Sequence, residues 1–171
     1  MREVARQAGV SAAAPYHHFA DKAALIAALA TEGYAALTAA LRAAWAAEDD
    51  PAERIAALGM AYVRFAVAHP AAFRLMFRPE LRGLRADASL AQAAAASYGV
   101  LVAGIRAAQD AGAITPGDPA PLALTAWATV HGLAVLLVDG PEHDPACADD
   151  AVAHTAARVT HTLLHGLVRR P

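Results

Sequence analysis

Five polar side chains near the N-terminus have the types and spacing needed to hold phosphate oxygens. Arg2, Ser11 and Tyr16 are hydrogen-bond donors, and His18 and Lys22 continue the series toward the body of the chain. Lys22 stands at the expected start of a helix, whose positive dipole end adds to the attraction for an anion. The chemistry open to these residues is therefore binding of a nucleic-acid backbone.

Small and aromatic residues lie between those donors. Ala12 and Ala13 permit close approach to a base pair and apolar contact with a thymine methyl, while His17 faces either the groove or the protein core. Tyr16 has a second interpretation, as a core anchor of a three-helix unit, and for Phe19 we expect that role. The predicted DNA-contact residues are Arg2, Ser11, Ala12, Ala13, Tyr16, His17, His18 and Lys22.

A second group of candidate residues lies in the least polar stretch, residues 120–138, which contains no charged side chain. Trp127 and His131 are four positions apart and so share one face of a helix. Gly132 lowers helix stability and therefore predicts close packing of another helix at this point. His131 is interpreted with equal weight as a ligand contact and as a core histidine whose hydrogen bonds are satisfied.

The same part of the chain carries aromatic and methionine side chains that suit an apolar ligand pocket, because such pockets are mostly apolar with few polar groups. These side chains suit a solid core equally well, and the sequence leaves both interpretations open. The predicted ligand-binding residues are Tyr62, Phe65, Phe73, Met76, Phe77, Tyr98, Trp127 and His131.

A stripe of histidines near the C-terminus raises the question of a metal site. His154, Arg158, His161 and His165 follow one another at steps of four, three and four. Two histidines at i and i+4 can share a metal, but no cysteine or carboxylate stands at a supporting spacing. We expect an interface or a solvated helix face here, and no metal.

Motifs of enzymatic chemistry are absent from the sequence. It contains no glycine-rich phosphate loop, no His-Glu-x-x-His pair and no Gly-x-Ser-x-Gly elbow. The remaining charged residues are expected on helix surfaces and in loops, where solvation is their ordinary role. We therefore expect neither an enzyme nor a cofactor.

Composition indicates an all-α protein of the cytoplasm. Hydrophobic residues make up 57% of the chain but aromatic residues only 6%, because alanine, a strong helix former, dominates. Asparagine is missing, so hairpin signals such as Asn-Gly do not occur. The single cysteine, Cys147, excludes an internal disulfide framework and fits a reducing compartment, and we expect no secretory leader.

The N-terminal residues must be positioned by two short helices and a turn. Apolar residues recur at helical spacing over residues 4–8, and Gly9 stands where the backbone enters the left-handed region. We expect Val10 to tuck inside the turn and Ser11 to cap a second helix over about residues 12–19. This order of elements is the helix-turn-helix pattern, whose second helix enters the major groove of DNA.

Several residue runs in this region resemble the TetR (tetracycline-repressor-like) family of transcriptional regulators. The runs are Val4-Ala5 through Gly9-Val10-Ser11, then Pro15-Tyr16-His17-His18-Phe19 and Asp21-Lys22-Ala23-Ala24-Leu25. The resemblance implies a homodimeric repressor that binds a palindromic operator in double-stranded DNA and is released by a small molecule. It also implies that Tyr16 and Lys22 contact the DNA backbone.

A further resemblance, to one TetR subgroup, lies in the run Trp127-Ala128-Thr129-Val130-His131-Gly132. In that subgroup this helix lines the ligand cavity and abuts the dimer interface. The last two helices of each subunit form a four-helix bundle with those of the partner. The resemblance therefore implies two DNA-binding units held one turn of DNA apart.

Met1 falls at the beginning of the first helix-turn-helix element, whereas TetR-type proteins have a further, often basic helix before this point. We expect that helix to lie upstream of the printed start, and the alternative is a regulator that no longer binds DNA. Residues 1–35 carry as many acidic as basic side chains and are neutral overall. A neutral surface holds phosphates weakly, so a basic leader would matter for affinity.

Longer helices are predicted for the rest of the chain, bounded by aspartate, proline and glycine signals. The first of them is an unbroken rod with leucines at multiples of four residues, suited either to transmitting a ligand signal or to serving as a plain strut. The predicted helices cover about residues 22–47, 51–69, 71–77, 88–111, 120–138 and 149–169.

The predicted organisation is a helix-turn-helix domain at residues 1–46 on a ligand-binding and dimerising helical bundle at residues 47–171. Residues 120–138 are of borderline length for a membrane span, but we interpret them as a buried helix of a dimer bundle and expect no membrane association. The predicted function is a ligand-responsive repressor released by a small apolar effector. The alternative is a helical ligand-binding or dimeric interaction protein that no longer binds DNA.

Overall fold

The computed structural model describes residues 2–7, 9–11, 13–79, 81, 88–140 and 149–166, and these ranges form helices and their connections, without a strand. The predicted all-α class is therefore confirmed. The helices are α1 (Arg2–Gln7), α2 (Ala14–His18), α3 (Lys22–Ala46), α4 (Pro51–Ala68), α5 (Pro70–Met76), α6 (Ala88–Asp110), α7 (Pro119–Asp139) and α8 (Asp149–His165).

The turn between α1 and α2 is built as the sequence predicts. Gly9 takes a φ of +69°, in the left-handed region, and the N–H of Val10 donates to the carbonyl of Ala5 at 3.0 Å. Ser11 caps α2, because its Oγ accepts a hydrogen bond from the N–H of Ala14 at 3.2 Å. One expectation is wrong: the side chain of Val10 is 48% exposed and does not tuck inside the turn.

Helix α3 runs from the helix-turn-helix region into the body of the protein. The carboxylate of Asp21 caps it by accepting from the N–H of Ala24 at 2.8 Å. With 25 residues it is roughly 37 Å long. Leu29, near its start, is 45% exposed, whereas Leu37 and Leu41 are buried in the core of the body. The predicted rod is thus also a structural wall of the bundle that it enters.

A proline break separates α4 from α5. Asp50 caps α4 by accepting from two backbone N–H groups, with Pro51 in the first turn. Pro70 then ends the helical hydrogen bonding, and α5 leaves at 107° to α4. Arg74 ties α5 to the end of α7, because its Nη2 donates to the carbonyl of Val138 at 2.7 Å.

The core lies where α4 meets α3, α6, α7 and α8. Val63, at the middle of α4, has no exposed surface, and small residues permit close helix contacts around it. A Cβ placed on Gly59 would lie 2.7 Å from the Cγ2 of Thr160 on α8. A Cβ on Gly104 of α6 would lie 2.7 Å from the ring of Trp45. These two glycines are therefore required by packing rather than by backbone conformation.

Helices α3, α6 and α7 are each long and apolar enough to cross a membrane by length and composition alone. Much of their hydropathy is alanine, whose small side chain suits tight helix packing in a bundle. The predicted break before α5 and the loop before α7 are both confirmed, which leaves α7 as a bundle helix packed against α4, α6 and α8.

Candidate functional site

The described DNA-contact candidates form an exposed surface around α2 and the start of α3. Arg2 and Tyr16 belong to α1 and α2 by their backbone, but their side chains and the whole of Ala12 lie outside the described residues. The candidates whose side chains are described are all exposed, and they are Ser11, Ala13, His17, His18 and Lys22.

The start of α3 offers Lys22 to an anion, beside the capping carboxylate of Asp21. Asp21 accepts the hydrogen bond of Ala24 there, and its negative charge offsets the positive end of the helix dipole. An approaching phosphate would therefore meet the ammonium group of Lys22 beside a carboxylate. This arrangement favours contact between a phosphate and the ammonium group of Lys22 over binding of the phosphate at the helix N-terminus itself.

A cavity of about 610 Å³ lies in the body, within the size range of small-molecule sites. Helices α3, α4, α6 and α7 form its walls, and the end of α5 with the residues that follow closes one side. Its lining residues are Tyr34, Leu37, Leu41, Tyr62, Met76, Phe77, Arg78, Leu81, Leu90, Ala91, Ala94, Ala95, Ser97, Tyr98, Leu101, Leu124, Trp127 and His131.

Most of the predicted ligand residues lie in this wall, and two lie behind it. The predicted residues that line the cavity are Tyr62, Met76, Phe77, Tyr98, Trp127 and His131. Phe65 and Phe73 do not line it, and both are buried in the core. Phe73 supports the wall from behind, since its ring centroid lies 5.1 Å from that of Phe77 and 5.6 Å from that of His131.

Sequence reasoning missed the contribution of α3 to the cavity, and of α6 it predicted Tyr98 alone. Tyr34 lies in the wall, 6.0 Å from Phe77 between ring centroids, although its helix was interpreted as a signal-transmitting rod or a plain strut. An aromatic residue in the apolar stripe of an alanine-rich helix was the available signal. The alanines of α6, including Ala91 and Ala95, form the cavity by leaving space, and small residues carry no such signal in a sequence.

His131 is the centre of an aromatic cluster in this wall. Its ring stacks on that of Trp127, with centroids 5.2 Å apart and an interplanar angle of 23°. The ring of Phe77 lies 4.5 Å away on another side. The hydroxyl of Tyr62 lies 2.8 Å from Nδ1 of His131.

Burial keeps this polar group uncharged. It lowers the pKa of His131, because the imidazolium form loses hydration in an aromatic environment. Burial also raises the pKa of the Tyr62 hydroxyl far above its usual range, with the hydrogen bond from Trp127 acting in the opposite direction. At neutral pH the site therefore holds a neutral imidazole beside a protonated phenol.

Two other hydroxyl groups of the cavity wall, those of Tyr34 and Ser97, donate to backbone carbonyls. The Tyr34 hydroxyl donates to the carbonyl of Met76 at 3.1 Å. The Ser97 hydroxyl donates to the carbonyl of Ala94 at 2.9 Å. The wall thus combines apolar surface with few polar groups, as in ligand sites generally.

The outer face of α7 and α8 carries a second, shallower groove of about 530 Å³. Thr129 lines it from α7, and Thr155, Val159 and Thr162 line it from α8. Leu122 and Leu136 of α7, outside this lining, are also exposed, at 36% and 55%. Such exposed leucines on a long helix mark a surface suited to a partner protein.

Gly132 lies on α7 and corrects one sequence-based expectation. It is exposed, and a Cβ placed on it would meet nothing within 4 Å in this chain. The predicted close helix packing at this glycine is therefore wrong within one protomer. The exposed position leaves it accessible to a helix of another molecule.

The histidine stripe of α8 is a solvated face in the isolated chain. His154, Arg158, His161 and His165 are all exposed. The rings of His161 and His165 lie 4.2 Å apart between centroids. Among the residues that the structure describes, no group of three potential metal ligands comes together.

Two family models match the sequence. The model described as "Tetracyclin repressor-like, C-terminal domain" matches residues 55–159. The model described as "Bacterial regulatory proteins, tetR family" matches residues 1–29. No curated protein sequence shows significant similarity to the chain.

Solved structures share the fold over nearly the whole chain. A Rhodococcus sp. RHA1 protein of unknown function is 38% identical, with a TM-score of 0.77 over 98% of this chain and 84% of its own. A bacterial regulatory protein of the tetR family from Rhodococcus RHA1 is 26% identical, with a TM-score of 0.76 over 99% and 86%. The TetR family transcriptional regulator PfmR from Thermus thermophilus is 22% identical, with a TM-score of 0.76 over 98% and 88%, and shows the fold alone.

Proposed function

Since this chain belongs to the TetR family of bacterial transcriptional regulators, we propose that it is a homodimeric repressor released from a palindromic operator by a small apolar effector. As a TetR-family member it is a DNA-binding regulator and not an enzyme. Regulators of this kind are soluble and cytoplasmic, so the apolar helices are bundle helices and not a membrane signal. The alternative, a helical protein that no longer binds DNA, would be favoured if the DNA-binding measurement shows no binding.

The cavity in the body carries the proposal of an effector. Its volume of about 610 Å³ suits a small molecule, and its described lining is mostly aromatic and aliphatic. We assign effector contact to Tyr62, Met76, Phe77, Tyr98, Trp127 and His131, with Phe65 and Phe73 supporting them from the core. Tyr34 and the alanines of α6 join this set from the geometry.

Contacts between α5 and α3 supply the route from the cavity to the DNA-binding region. Met76 and Phe77 line the cavity at the end of α5. A Cβ on Gly33 of α3 would lie 2.7 Å from the Sδ of Met76, so the two helices are packed with no spare room. The hydroxyl of Tyr34, also on α3, donates to the carbonyl of Met76. An effector that displaces Phe77 or Met76 therefore moves the helix whose other end carries Lys22.

Such a displacement releases DNA only if the effector favours one arrangement of the two DNA-binding units over the other. A ligand shifts an equilibrium by its difference in affinity for the two states. In this proposal the effector binds more tightly to the arrangement in which the two units no longer match the spacing of the operator.

The outer face of α7 and α8 supports the proposal of a homodimer. Leu122 and Leu136 are exposed there, and Gly132 leaves open space for a partner helix. A two-fold arrangement in which these helices meet their copies would bury that face and place two DNA-binding units on one side. The occupant we propose is a second copy of this chain.

The DNA-contact residues that we propose are Arg2, Ser11, Ala12, Ala13, Tyr16, His17, His18 and Lys22. The test uses fluorescence anisotropy with DNA from the region upstream of the gene, at several salt concentrations. Lys22→Ala should weaken binding of all sequences alike and reduce the slope of log affinity against log salt by about 1. Arg64→Ala is the matched control, since it removes an exposed cation from α4 and should leave binding unchanged.

Lack of any DNA binding at low salt, where phosphate contacts are strongest, would contradict the regulator proposal. Equal losses in Lys22→Ala and Arg64→Ala would remove Lys22 from the proposed interface and point to a general effect of charge.

The dimer interface is tested separately by size-exclusion chromatography with light scattering. Gly132→Lys places a long cation on the proposed interface and should shift the protein toward a monomer. Gly99→Lys is the control, because Gly99 is an exposed glycine inside α6 and a Cβ placed on it would meet nothing within 4 Å. A dimer that survives Gly132→Lys would place the interface elsewhere.

A further inference from the structure

We infer that the effector is an apolar molecule bearing a hydrogen-bond-accepting oxygen of the carbonyl type, which the Nε2–H of His131 binds. This rests on the proposed function of the cavity as the effector site, and it names the chemical class that the site selects. Three features of the wall carry it: the direction of one hydrogen bond, the position of one proton, and the absence of a carboxylate among the described lining residues.

The direction of the hydrogen bond between Tyr62 and His131 follows from the burial of Tyr62. Its side chain is only 5% exposed, and burial raises the pKa of its hydroxyl far above neutral, so the phenol keeps its hydrogen. The hydroxyl hydrogen then needs an acceptor of its own, because a buried donor left unpaired is costly. Among the described residues the acceptor within reach is Nδ1 of His131, at 2.8 Å.

The proton of His131 therefore lies on Nε2. A neutral imidazole carries one N–H, and the nitrogen that accepts a hydrogen bond is the one without it. Burial lowers the pKa of His131 and so keeps the ring neutral. Tyr62 thus fixes the tautomer of His131.

The Nε2–H group is open to the cavity. His131 lines the cavity, and within the described residues Nε2 has no hydrogen-bond partner. Within the described residues, every fully buried side-chain nitrogen or oxygen atom has a hydrogen-bond partner. Since Nε2 has none, it must have accessible surface. It is a donor whose position is fixed by the hydrogen bond that Nδ1 of the same ring accepts from Tyr62.

The rest of the wall disfavours a cationic ligand. No carboxylate is among the described lining residues, and the charged side chain there is the cation Arg78. The hydroxyl groups of Tyr34 and Ser97 already donate to backbone carbonyls. Aromatic faces can attract a cation, but one face of Trp127 is covered by the stacked ring of His131. The wall therefore selects an acceptor rather than a positive charge.

Two probes of equal chain length and shape separate these possibilities. The probe 2-decanone presents a carbonyl oxygen, and 2-aminodecane presents an ammonium group on the same carbon of the same chain. Calorimetry at pH 7.5 should give tighter binding of 2-decanone by about tenfold or more, on the scale of a buried hydrogen bond. His131→Phe should remove most of that preference while an apolar site for the chain remains.

Nitrogen-15 NMR of labelled histidine gives a readout that needs no ligand and no variant. His131 should show protonated Nε2 and unprotonated Nδ1, whereas the exposed His154 serves as the internal reference for a freely solvated ring. Tyr62→Phe should move the signals of His131 toward a mixture of tautomers, because the hydrogen bond that selects one of them is gone.

A proton on Nδ1 of His131 in the unchanged protein would overturn the inference. Equal or tighter binding of 2-aminodecane would overturn it as well, while leaving the cavity as an effector site. If neither probe binds, the proposed effector function of the cavity fails, and the inference fails with it.

Discussion

The phenolic oxygen of Tyr62 and the Nδ1 atom of His131 lie 2.8 Å apart, although the two residues are 69 positions apart in the sequence. This contact joins α4, the central helix of the body, to α7, which lies between the cavity and the outer face. It places a polar group with a defined direction in a wall that is otherwise aromatic and aliphatic. The predictions below follow from this contact and from the close packing around it.

Tyr62→Phe should lower the free energy of unfolding by about 1–3 kcal/mol, because it leaves the Nδ1 of His131 without its partner. Urea denaturation followed by circular dichroism measures this change. Tyr98→Phe is the control, since the Tyr98 side chain is exposed and its hydroxyl has no hydrogen bond within the described residues. Equal losses in the two variants would contradict the role assigned to the Tyr62 hydroxyl.

The stability of the protein should fall on acidification, in part because of His131. Its pKa is lowered in the folded state, so the unfolded chain binds the proton more readily. The contribution is complete above the ordinary histidine pKa of about 6.5 and is lost as the pH falls from there toward the lowered value. Thermal unfolding of wild type and His131→Gln between pH 7.5 and pH 5 measures it.

His131→Gln should reduce this pH dependence, because an amide does not titrate in that range. His154→Gln, which removes an exposed histidine from α8, should leave the dependence as it is in the wild type. The prediction fails if the stability curves of wild type and His131→Gln fall in parallel with pH.

Gly104→Ala should destabilise the protein by about 1–3 kcal/mol through overpacking. The added Cβ would lie 2.7 Å from the ring of Trp45 and 3.2 Å from Cδ1 of Leu58. The Trp45 ring has little freedom to move, since the guanidinium of Arg54 lies over it at 4.9 Å. Chemical denaturation compares this variant with Gly99→Ala.

In Gly99→Ala the added Cβ meets nothing within 4 Å, and the position is exposed inside α6. The higher helix propensity of alanine should then stabilise the protein by about 1 kcal/mol. A neutral or stabilising effect of Gly104→Ala would show that α6 and α3 have more room between them than the structure gives.

Gly33→Ala should weaken binding to the cavity more than it affects stability. Its Cβ would lie 2.7 Å from the Sδ of Met76, the flexible end of a side chain that lines the cavity. Met76 can move, and the space open to it is the cavity, so the volume left for an effector falls. The strain offsets the gain in helix propensity of about 1 kcal/mol.

Calorimetry with 2-decanone and a thermal melt separate these two effects of Gly33→Ala. We expect weaker binding of the probe with a small change in melting temperature, and Gly99→Ala again serves as the control for helix propensity. Unchanged affinity for the probe would show that Met76 does not transmit changes in α3 to the cavity.

Local signals made the helix boundaries predictable. The residues that begin and end helices act through their own backbone or through residues at most three positions away, so the sequence alone identifies their roles. They are Gly9, Ser11, Asp21 and Pro51. The helix-turn-helix order and the long third helix followed from them. The all-α fold was therefore predictable before any tertiary contact was known, and its TetR type was predicted from the resemblance of residue runs to that family.

Features that depend on neighbours distant in sequence were harder to predict. Val10 was expected inside the turn but is exposed. The hydrophobicity of a residue does not show whether another part of the chain packs over it. Phe73 and Phe77 are four positions apart and equally apolar, yet Phe77 lines the cavity and Phe73 lies behind it. Gly132 was expected against another helix, and the chain itself offers none there.

The most direct measurement of the central claim is selection of bound duplexes from a random DNA pool, followed by sequencing. A two-fold pair of DNA-binding units should enrich an inverted repeat whose half-sites lie about one helical turn, or 10 base pairs, apart. Lys22→Ala should bind the same enriched repeat more weakly without changing its sequence. A pool with no enriched sequence, or with an enriched site that lacks two-fold symmetry, would contradict the proposed dimeric repressor.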